Sequence, residues 1–258
     1  MSQPQVTLFL TTYNWPEALA LVLQSISQQT TLPDEVIIAD DGSGAATKKV
    51  IDQYRELLPF PLIHCWQEDK GYRINAVRNK AIAQANNPYI IQIDGDIILD
   101  KNFIADHLNF AKKGRLIIGR RQQISKNKSL VFCDKKGYTP IKSFRNKLIA
   151  ILHHHFLYDS TSIKGVRGCN MAYWKEDAIT VNGYDEDWIG KGPDDKDFAV
   201  RLIHAGIKAY NLKFYALANH LYHGDEGLRD NYGKNQKLYS ETLKTRKTKC
   251  KNGLTKIS

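Results

Sequence analysis

Asp94-Gly95-Asp96 closes the apolar run Pro88-Tyr89-Ile90-Ile91-Gln92-Ile93. Two carboxylates flanking a glycine, placed where a buried strand empties into a loop, can hold a divalent cation against a diphosphate. The strand fixes the carboxylates, and the glycine has no side chain to block a ligand's approach. Two acids this close repel each other unless a cation or hydrogen bonds compensate. Asp and Gly are also preferred turn residues, so a solvated turn accounts for the motif taken alone. Further polar clusters change that balance: Thr11-Thr12-Tyr13-Asn14 and Asp40-Asp41-Gly42-Ser43 also follow apolar runs.

The elements that must position these clusters are legible as alternating patterns. Val6–Thr12, Glu35–Asp40, Pro61–Trp66, Tyr89–Asp94 and Arg115–Gly119 read as buried strands. Between them Pro16–Gln28 places Leu19, Val22, Leu23 and Ile26 at helical spacing, with Pro16 suited to a first turn. Ala46–Leu57 and Asn75–Asn86 behave likewise. Repeated strand, helix, strand predicts an α/β fold with a mostly parallel central sheet and helices on both faces. Ligands of such sheets bind at the carboxyl ends of the strands, where the three polar clusters fall. No Gly-x-Gly-x-x-Gly follows the first strand, and no Gly-x-x-x-x-Gly-Lys-Ser/Thr occurs. Phosphate must then be neutralised by something other than glycine-loop amides, and a metal on Asp96 would serve.

Patterning weakens from about Gln122 to Ile163, a basic stretch to which the pattern assigns no structure; its His153-His154-His155 is expected to lie in a surface loop rather than a metal site. It resumes with Gly168–Trp174, a helix over Asp194–Ala205, and extended pieces at Ala209–Tyr215 and Ala216–Asn219. The division expected is a single domain, with a nucleotide-binding half over 1–120, an acceptor-building half over 121–243, and a basic tail over 244–258.

Bulk composition bounds the partners. The chain has 258 residues, 42% of them apolar, enough for a large core. No segment approaches the ~20 consecutive apolar residues of a membrane span. The first residues lack a basic and apolar leader, and the four cysteines are widely spaced with no Cys-x-x-Cys. A reducing cytoplasm is the expected setting. The net charge of +10 calls for anionic partners. Much of it sits in Lys244-Thr245-Arg246-Lys247-Thr248-Lys249-Cys250-Lys251, either a frayed, solvated terminus or an attachment to anionic lipid at the inner face of the membrane. No nucleic-acid motif accompanies the charge, so nucleic acid is not expected.

Taken in order, Thr11-Thr12-Tyr13-Asn14, Asp40-Asp41-Gly42-Ser43, Gly71-Tyr72-Arg73-Ile74-Asn75-Ala76-Val77-Arg78-Asn79-Lys80-Ala81 and Asp94-Gly95-Asp96 resemble the glycosyltransferases of family 2, which have the GT-A fold. The back half, Gly168-Cys169-Asn170-Met171-Ala172 and then Trp188 through Asp197, resembles the C-terminal region of β-1,4-galactosyltransferases and of bacterial chondroitin polymerase domains. The resemblance implies an inverting, manganese-dependent transferase using a UDP-sugar, with magnesium as the alternative ion. It implies Thr11 and Tyr13 lining the base pocket, Asp41 and Asp40 accepting hydrogen bonds from uracil or ribose, and Asp94 on the ribose side. Asp96 and His223 would bind the metal. Arg78 would point to the donor or form an ion pair with a strand-end aspartate.

Pro193-Asp194-Asp195-Lys196-Asp197 opens a helix, where capping and the helix dipole alone favour acids. That does not explain Trp188, Gly190 and Gly192 just upstream. The resemblance makes Trp188 and Gly192 part of an acceptor-binding loop, Asp194 a ligand of acceptor hydroxyls, and Asp195 the catalytic base. Asp194 stands where the galactosyltransferases have Glu, and Pro193 where they have Gly. The implied acceptor is a glycan or glycolipid of bacterial lipopolysaccharide or capsule synthesis. The rival readings are a nucleotidyltransferase, which would carry a glycine-rich basic loop after the first strand, and a non-catalytic nucleotide- or glycan-binding module.

Overall fold

A computed structural model of the chain describes residues 3–134, 160–224 and 232–256. Its first four strands, β1 (Val6–Thr12), β2 (Glu35–Asp40), β3 (Leu62–Trp66) and β4 (Tyr89–Asp94), are parallel and ordered β3-β2-β1-β4. Every residue of β1 and β2 is buried, which is why both read as near-continuous apolar runs rather than alternating ones. Beyond β4 the sheet continues with β8 (Asn170–Trp174), antiparallel to both neighbours, then β6 (Arg115–Ile118) and β9 (Lys208–Asn211). β8 thus comes from the back half of the chain and pairs with β4 of the front half. The two halves share one sheet and one core.

Helices cover both faces. α1 (Pro16–Ser27), α2 (Ala45–Leu57) and α4 (Phe103–Phe110) pack Leu19, Leu23, Ile51 and Phe103 against one side. On the other side α3 (Ile74–Gln84), α6 (Lys175–Thr180) and α7 (Asp194–His204) contribute Val77, Ile82, Ala178, Phe198 and Leu202. Truncating Leu19, Leu23, Ile51, Phe103, Ile82, Phe198 or Leu202 to Ala removes packed methylenes at about 2–5 kcal/mol.

A second, three-stranded sheet stands at the strand ends: β5 (Ile97–Leu99), β10 (Leu217–His220) and β7 (Arg120–Gln123), with β10 central. β10 runs antiparallel to β5 with His220 opposite Ile97, and the Leu221 amide donates to the Asp96 carbonyl at 2.9 Å. This small sheet brings a late segment of the chain onto the Asp-Gly-Asp turn.

Three expectations need correction. The weakly patterned stretch contains β7 and α5 (Lys126–Asp134) among its described residues, while His153-His154-His155 lie outside them. The strand within Gly168–Trp174 starts at Asn170, and that within Ala209–Tyr215 ends at Asn211. The basic segment is not a frayed tail over its described part: α8 (Tyr232–Thr245) includes its first residues, and Cys250 beyond is 1% exposed. Asn182 ties that segment down, its Nδ2 donating to the carbonyls of Cys250 and Thr255 at 3.0 and 2.8 Å. Lys247 pairs with Asp185 at 3.3 Å.

Candidate active site

Parallel register sets the carboxyl ends of three strands side by side. Thr11 lies opposite Asp94, and Thr12 opposite Asp40. Gly95 donates its N–H to the Thr11 carbonyl at 2.7 Å, and a Cβ on Gly95 would sit 2.7 Å from that same oxygen. Only glycine lets the Asp94–Asp96 turn fold back this closely. The result is a cleft of 1110 Å³ lined by Thr11, Tyr13, Asp41, Asp94 and Asp96 from the strand ends. Tyr72, Arg121, Lys191, Gly192, Asp195, His220 and His223 complete its walls.

Asp96 gathers two imidazoles. Its Oδ2 lies 3.3 Å from Nε2 of His220 and 3.3 Å from Nε2 of His223. The three residues offer donor atoms within 4.8 Å of one another. Asp96 Oδ1 and His220 Nδ1 are buried with no hydrogen-bond partner among the described residues, an arrangement that costs stability unless a ligand compensates. Burial pushes His220 below the usual imidazole pKa, so it is neutral and able to ligate; the hydrogen bond to Asp96 raises His223. One carboxylate and two imidazoles suit a borderline transition metal better than magnesium. The residues therefore fit a divalent metal.

On the nucleotide side, the Thr11 hydroxyl donates to Asp94 Oδ1 at 2.9 Å. Tyr13 is 54% exposed, its hydroxyl donating to Asp69 at 2.9 Å and its ring open to the cleft. Asp41 accepts from the Gln67 amide at 2.5 Å and from the Arg73 backbone N–H at 2.8 Å. Burial still raises its pKa. Asp40 does not face the cleft. It is fully buried beneath it, 2.8 Å from His64 Nε2 and accepting the Ser43 N–H at 2.8 Å. Burial opposes its charge, and those hydrogen bonds prevail and lower its pKa.

Behind the cleft, Arg78 is 4% exposed and lies over the Tyr184 ring at 5.0 Å. Its Nη1 donates to Asp194 Oδ2 at 2.6 Å, and its Nη2 is 3.6 Å from Asp94 Oδ1. Arg78 thus joins the strand-end acid to the acidic helix start. A Cβ on Gly168 would approach Arg78 Nη2 to 2.8 Å, so a larger residue there would displace the guanidinium. Burial and neighbouring Asp195 push the Asp194 carboxyl up to about 6, against the pull of Arg78.

Adjacent acids of α7 face different ways. Asp195 lines the cleft, its Oδ2 accepting the Gly168 N–H at 2.9 Å and its Oδ1 the Lys196 N–H at 2.7 Å. Asp194 turns inward to Arg78. Asp197 is buried away from the cleft between Arg201 Nε at 2.8 Å and the Thr242 hydroxyl at 2.7 Å. Trp188 is also buried, at 6% exposure, and supports Gly192, whose Cβ would lie 2.8 Å from its ring. From α8, Asn235 Nδ2 donates to the carbonyls of Ile189 and Lys191, fixing this loop against the cleft.

Sequence reasoning passed over His220, Tyr72, Arg121, Lys191, Gln123, Trp15 and Tyr222, all of which line the cleft. Arg121 and Gln123 share one face of β7, but Arg120-Arg121-Gln122-Gln123 has no apolar alternation to announce a strand. His220 stands beside Asp96 through the β5–β10 pairing, which sets it opposite Ile97.

Residues 7–166 match the model of glycosyl transferase family 2, and residues 150–224 match that of the N-terminal domain of galactosyltransferase. Chondroitin synthase of Escherichia coli is 26% identical over 224 residues, covering 78% of this chain. The chain spans about a third of that relative's length, 32%. Among solved structures, Staphylococcus aureus TarS 1-349 in complex with UDP-GlcNAc aligns with a TM-score of 0.66 at 14% identity, over 93% of this chain and 66% of that one. Mannosyltransferase PcManGT from Pyrobaculum calidifontis, in complex with GDP-Man and Mn2+, aligns with a TM-score of 0.61 at 16% identity, over 89% and 60%. These likenesses show the GT-A fold. The family 2 match runs through every strand-end cluster from Thr11 to Asp96 and on past β6, and on that extent the chain belongs to glycosyl transferase family 2.

Proposed function

We propose that this chain transfers a hexose or N-acetylhexosamine from a UDP-sugar to a hydroxyl of a glycan or glycolipid, with inversion at the anomeric carbon. The observation that carries the reading is that Asp195 and the Asp96–His220–His223 cluster line one cleft, an acid on the acceptor side and metal-ligating groups on the diphosphate side. TarS, solved with UDP-GlcNAc, supports the donor class, and PcManGT, solved with GDP-Man and Mn2+, supports a metal at a nucleotide-sugar site.

Asp195 removes the acceptor hydroxyl proton through a carboxylate oxygen as that hydroxyl's oxygen bonds to the anomeric carbon. The bond from that carbon to the β-phosphate oxygen breaks on the opposite face, and UDP leaves with the electron pair. Asp96, His220 and His223 would hold a manganese or magnesium ion, which when bound supplies positive charge against the diphosphate. Thr11, Tyr13 and Asp41 meet the nucleoside, Tyr13 by its open ring and Asp41 by hydrogen bonding. Arg78 orders Asp94 and Asp194 rather than facing the donor. Gly192 and Lys191 present the acceptor loop, with Trp188 as its support.

The reading extends to bacterial lipopolysaccharide or capsule synthesis, at the inner face of the cytoplasmic membrane. No helix among the described residues is long and apolar enough to cross a membrane; the contact proposed is peripheral, through the basic residues that follow α8. Sedimentation with anionic vesicles tests that part. The chemistry is tested by UDP release from UDP-N-acetylglucosamine, UDP-glucose and UDP-galactose with glycan acceptors. Asp195→Asn should lower turnover by roughly 10²–10⁴-fold while leaving UDP binding intact. Near-normal turnover in that variant rejects Asp195 as the base.

A further inference from the structure

Gln92 sits in the middle of β4, opposite Phe9 of β1 and Met171 of β8, and is fully buried. A primary amide inside an apolar sheet is unfavourable unless its polar atoms are bonded. Here its Oε1 accepts from two tyrosine hydroxyls, Tyr173 and Tyr184, each at 2.9 Å. Its Nε2 donates to the Gly168 carbonyl at 2.9 Å. All these partners lie under the acidic start of α7.

Both branches end on a carboxylate of the site. The Gly168 residue whose carbonyl Gln92 holds gives its own N–H to Asp195 Oδ2 at 2.9 Å. Tyr184, whose hydroxyl Gln92 holds, carries the Arg78 guanidinium on its ring, and Arg78 grips Asp194 at 2.6 Å. The same tyrosine stacks on Phe198 of α7, with centroids 4.4 Å apart at 15°, and Tyr173 meets that ring edge-on at 5.1 Å. Tyr173 and Tyr184 are fully buried, and the hydroxyl of each donates to this one oxygen. A Cβ on Gly168 would come within 3.4 Å of Gln92 Nε2 and 2.8 Å of Arg78 Nη2, so the two branches converge at that glycine.

We propose that Gln92 is a positioning residue for sugar transfer: one buried amide sets the Gly168 peptide that holds Asp195 and the tyrosine bed on which Arg78 holds Asp194. It touches no substrate and acts through those two carboxylates. The proposal rests on the reading of Asp195 as base. Its consequence is selective: losing the amide disturbs the carboxylates of α7, while Thr11, Tyr13 and Asp41 stay in place on the other side of the cleft.

The test uses Gln92→Met, which keeps the side chain's length and removes both polar groups. A crystal structure of the variant beside the wild type should show the Gly168 N–H to Asp195 hydrogen bond lost. The UDP dissociation constant, by calorimetry with manganese, should stay within about threefold. UDP release from whichever of the three UDP-sugars the wild type uses should fall on the order of 10–100-fold in kcat with donor KM little changed, the size expected for a base misplaced by about an ångström. Added to Asp195→Asn, the same substitution should cost clearly less turnover than it does alone, since only the Asp194 branch is left to lose. Persistence of the Gly168–Asp195 bond, unchanged turnover, or an equal further loss in the Asp195→Asn background would each overturn the proposal. Were Gln92→Met not to fold, Tyr173→Phe with Tyr184→Phe frees the same amide oxygen and keeps both rings. If Asp195→Asn itself retains turnover, the base assignment fails, and the crystal structure still decides what Gln92 holds in place.

Discussion

Asp96 has the strongest claim to function of any single residue, because its geometry leaves something unsatisfied. One of its oxygens faces two imidazoles at 3.3 Å, and the other is buried without a partner among the described residues. Asp96→Asn should weaken manganese binding by at least an order of magnitude, as read by calorimetry. Ligation needs both imidazoles neutral, so manganese affinity should fall as pH drops through the range where His223 gains its proton. His223 titrates first, since its pKa is raised while that of His220 is lowered. A carboxylate outside the cleft makes a different prediction. Asp177 is pushed up to about 6 by burial and by Glu176. Its folded-state value exceeds the roughly 3.9 of an unfolded chain, so the native state holds the extra proton between those values, and stability falls as pH rises through that window. Asp177→Asn should raise the melting temperature at pH 7 and change it little at pH 4. Among the site residues, those on strand ends were legible in the sequence because an apolar run pointed at each. Asp40 and Asp41 are adjacent, yet one is buried against His64 and the other lines the cleft. Nothing in the letters Asp-Asp distinguishes them, because the difference is set by which face of a twisted strand end meets β3.

Element by element, burial decided what could be read. β1, β2 and β4 are buried on both faces, and their bounds in the structure match those expected from the sequence. α1, α2 and α3 end within two residues of expectation, since an apolar stripe marks the part of a helix that packs and not its frayed last turn. β7 escaped because it is polar on both faces and gains its place from pairing with β10, a contact about 100 residues away in sequence. The acceptor loop shows the same dependence: Gly190 adopts φ +71°, and Asn235 on α8 holds the carbonyls on either side of it. Asn235→Ala removes both bonds. It should raise the acceptor KM several-fold and leave UDP affinity unchanged, and steady-state kinetics with varied acceptor would check this.

For the molecule as a whole, the front and back halves expected from the sequence both contribute strands to the seven-stranded sheet and to the small one, and the C-terminal segment is tied to the back half. Asn182, at φ +63°, binds that segment through its side chain at Cys250 and Thr255. Asn182→Ala loses these bonds and places a non-glycine residue without compensation in left-handed backbone. A loss of about 2–4 kcal/mol in unfolding free energy is expected, measurable by urea denaturation. A basic sequence looks solvated by composition, and here its lysines flank a buried cysteine that anchors the chain, so charge alone misread it. The proposed metal-assisted donor site draws on both halves, with Asp96 from the front half and His220 and His223 from the back half. That claim is tested most directly by titrating UDP into the protein with manganese present and again with the metal chelated. UDP should bind with manganese present, and binding should be lost on chelation and in Asp96→Asn. Equal binding in both conditions would contradict the metal site, and no binding in either would contradict the UDP assignment itself.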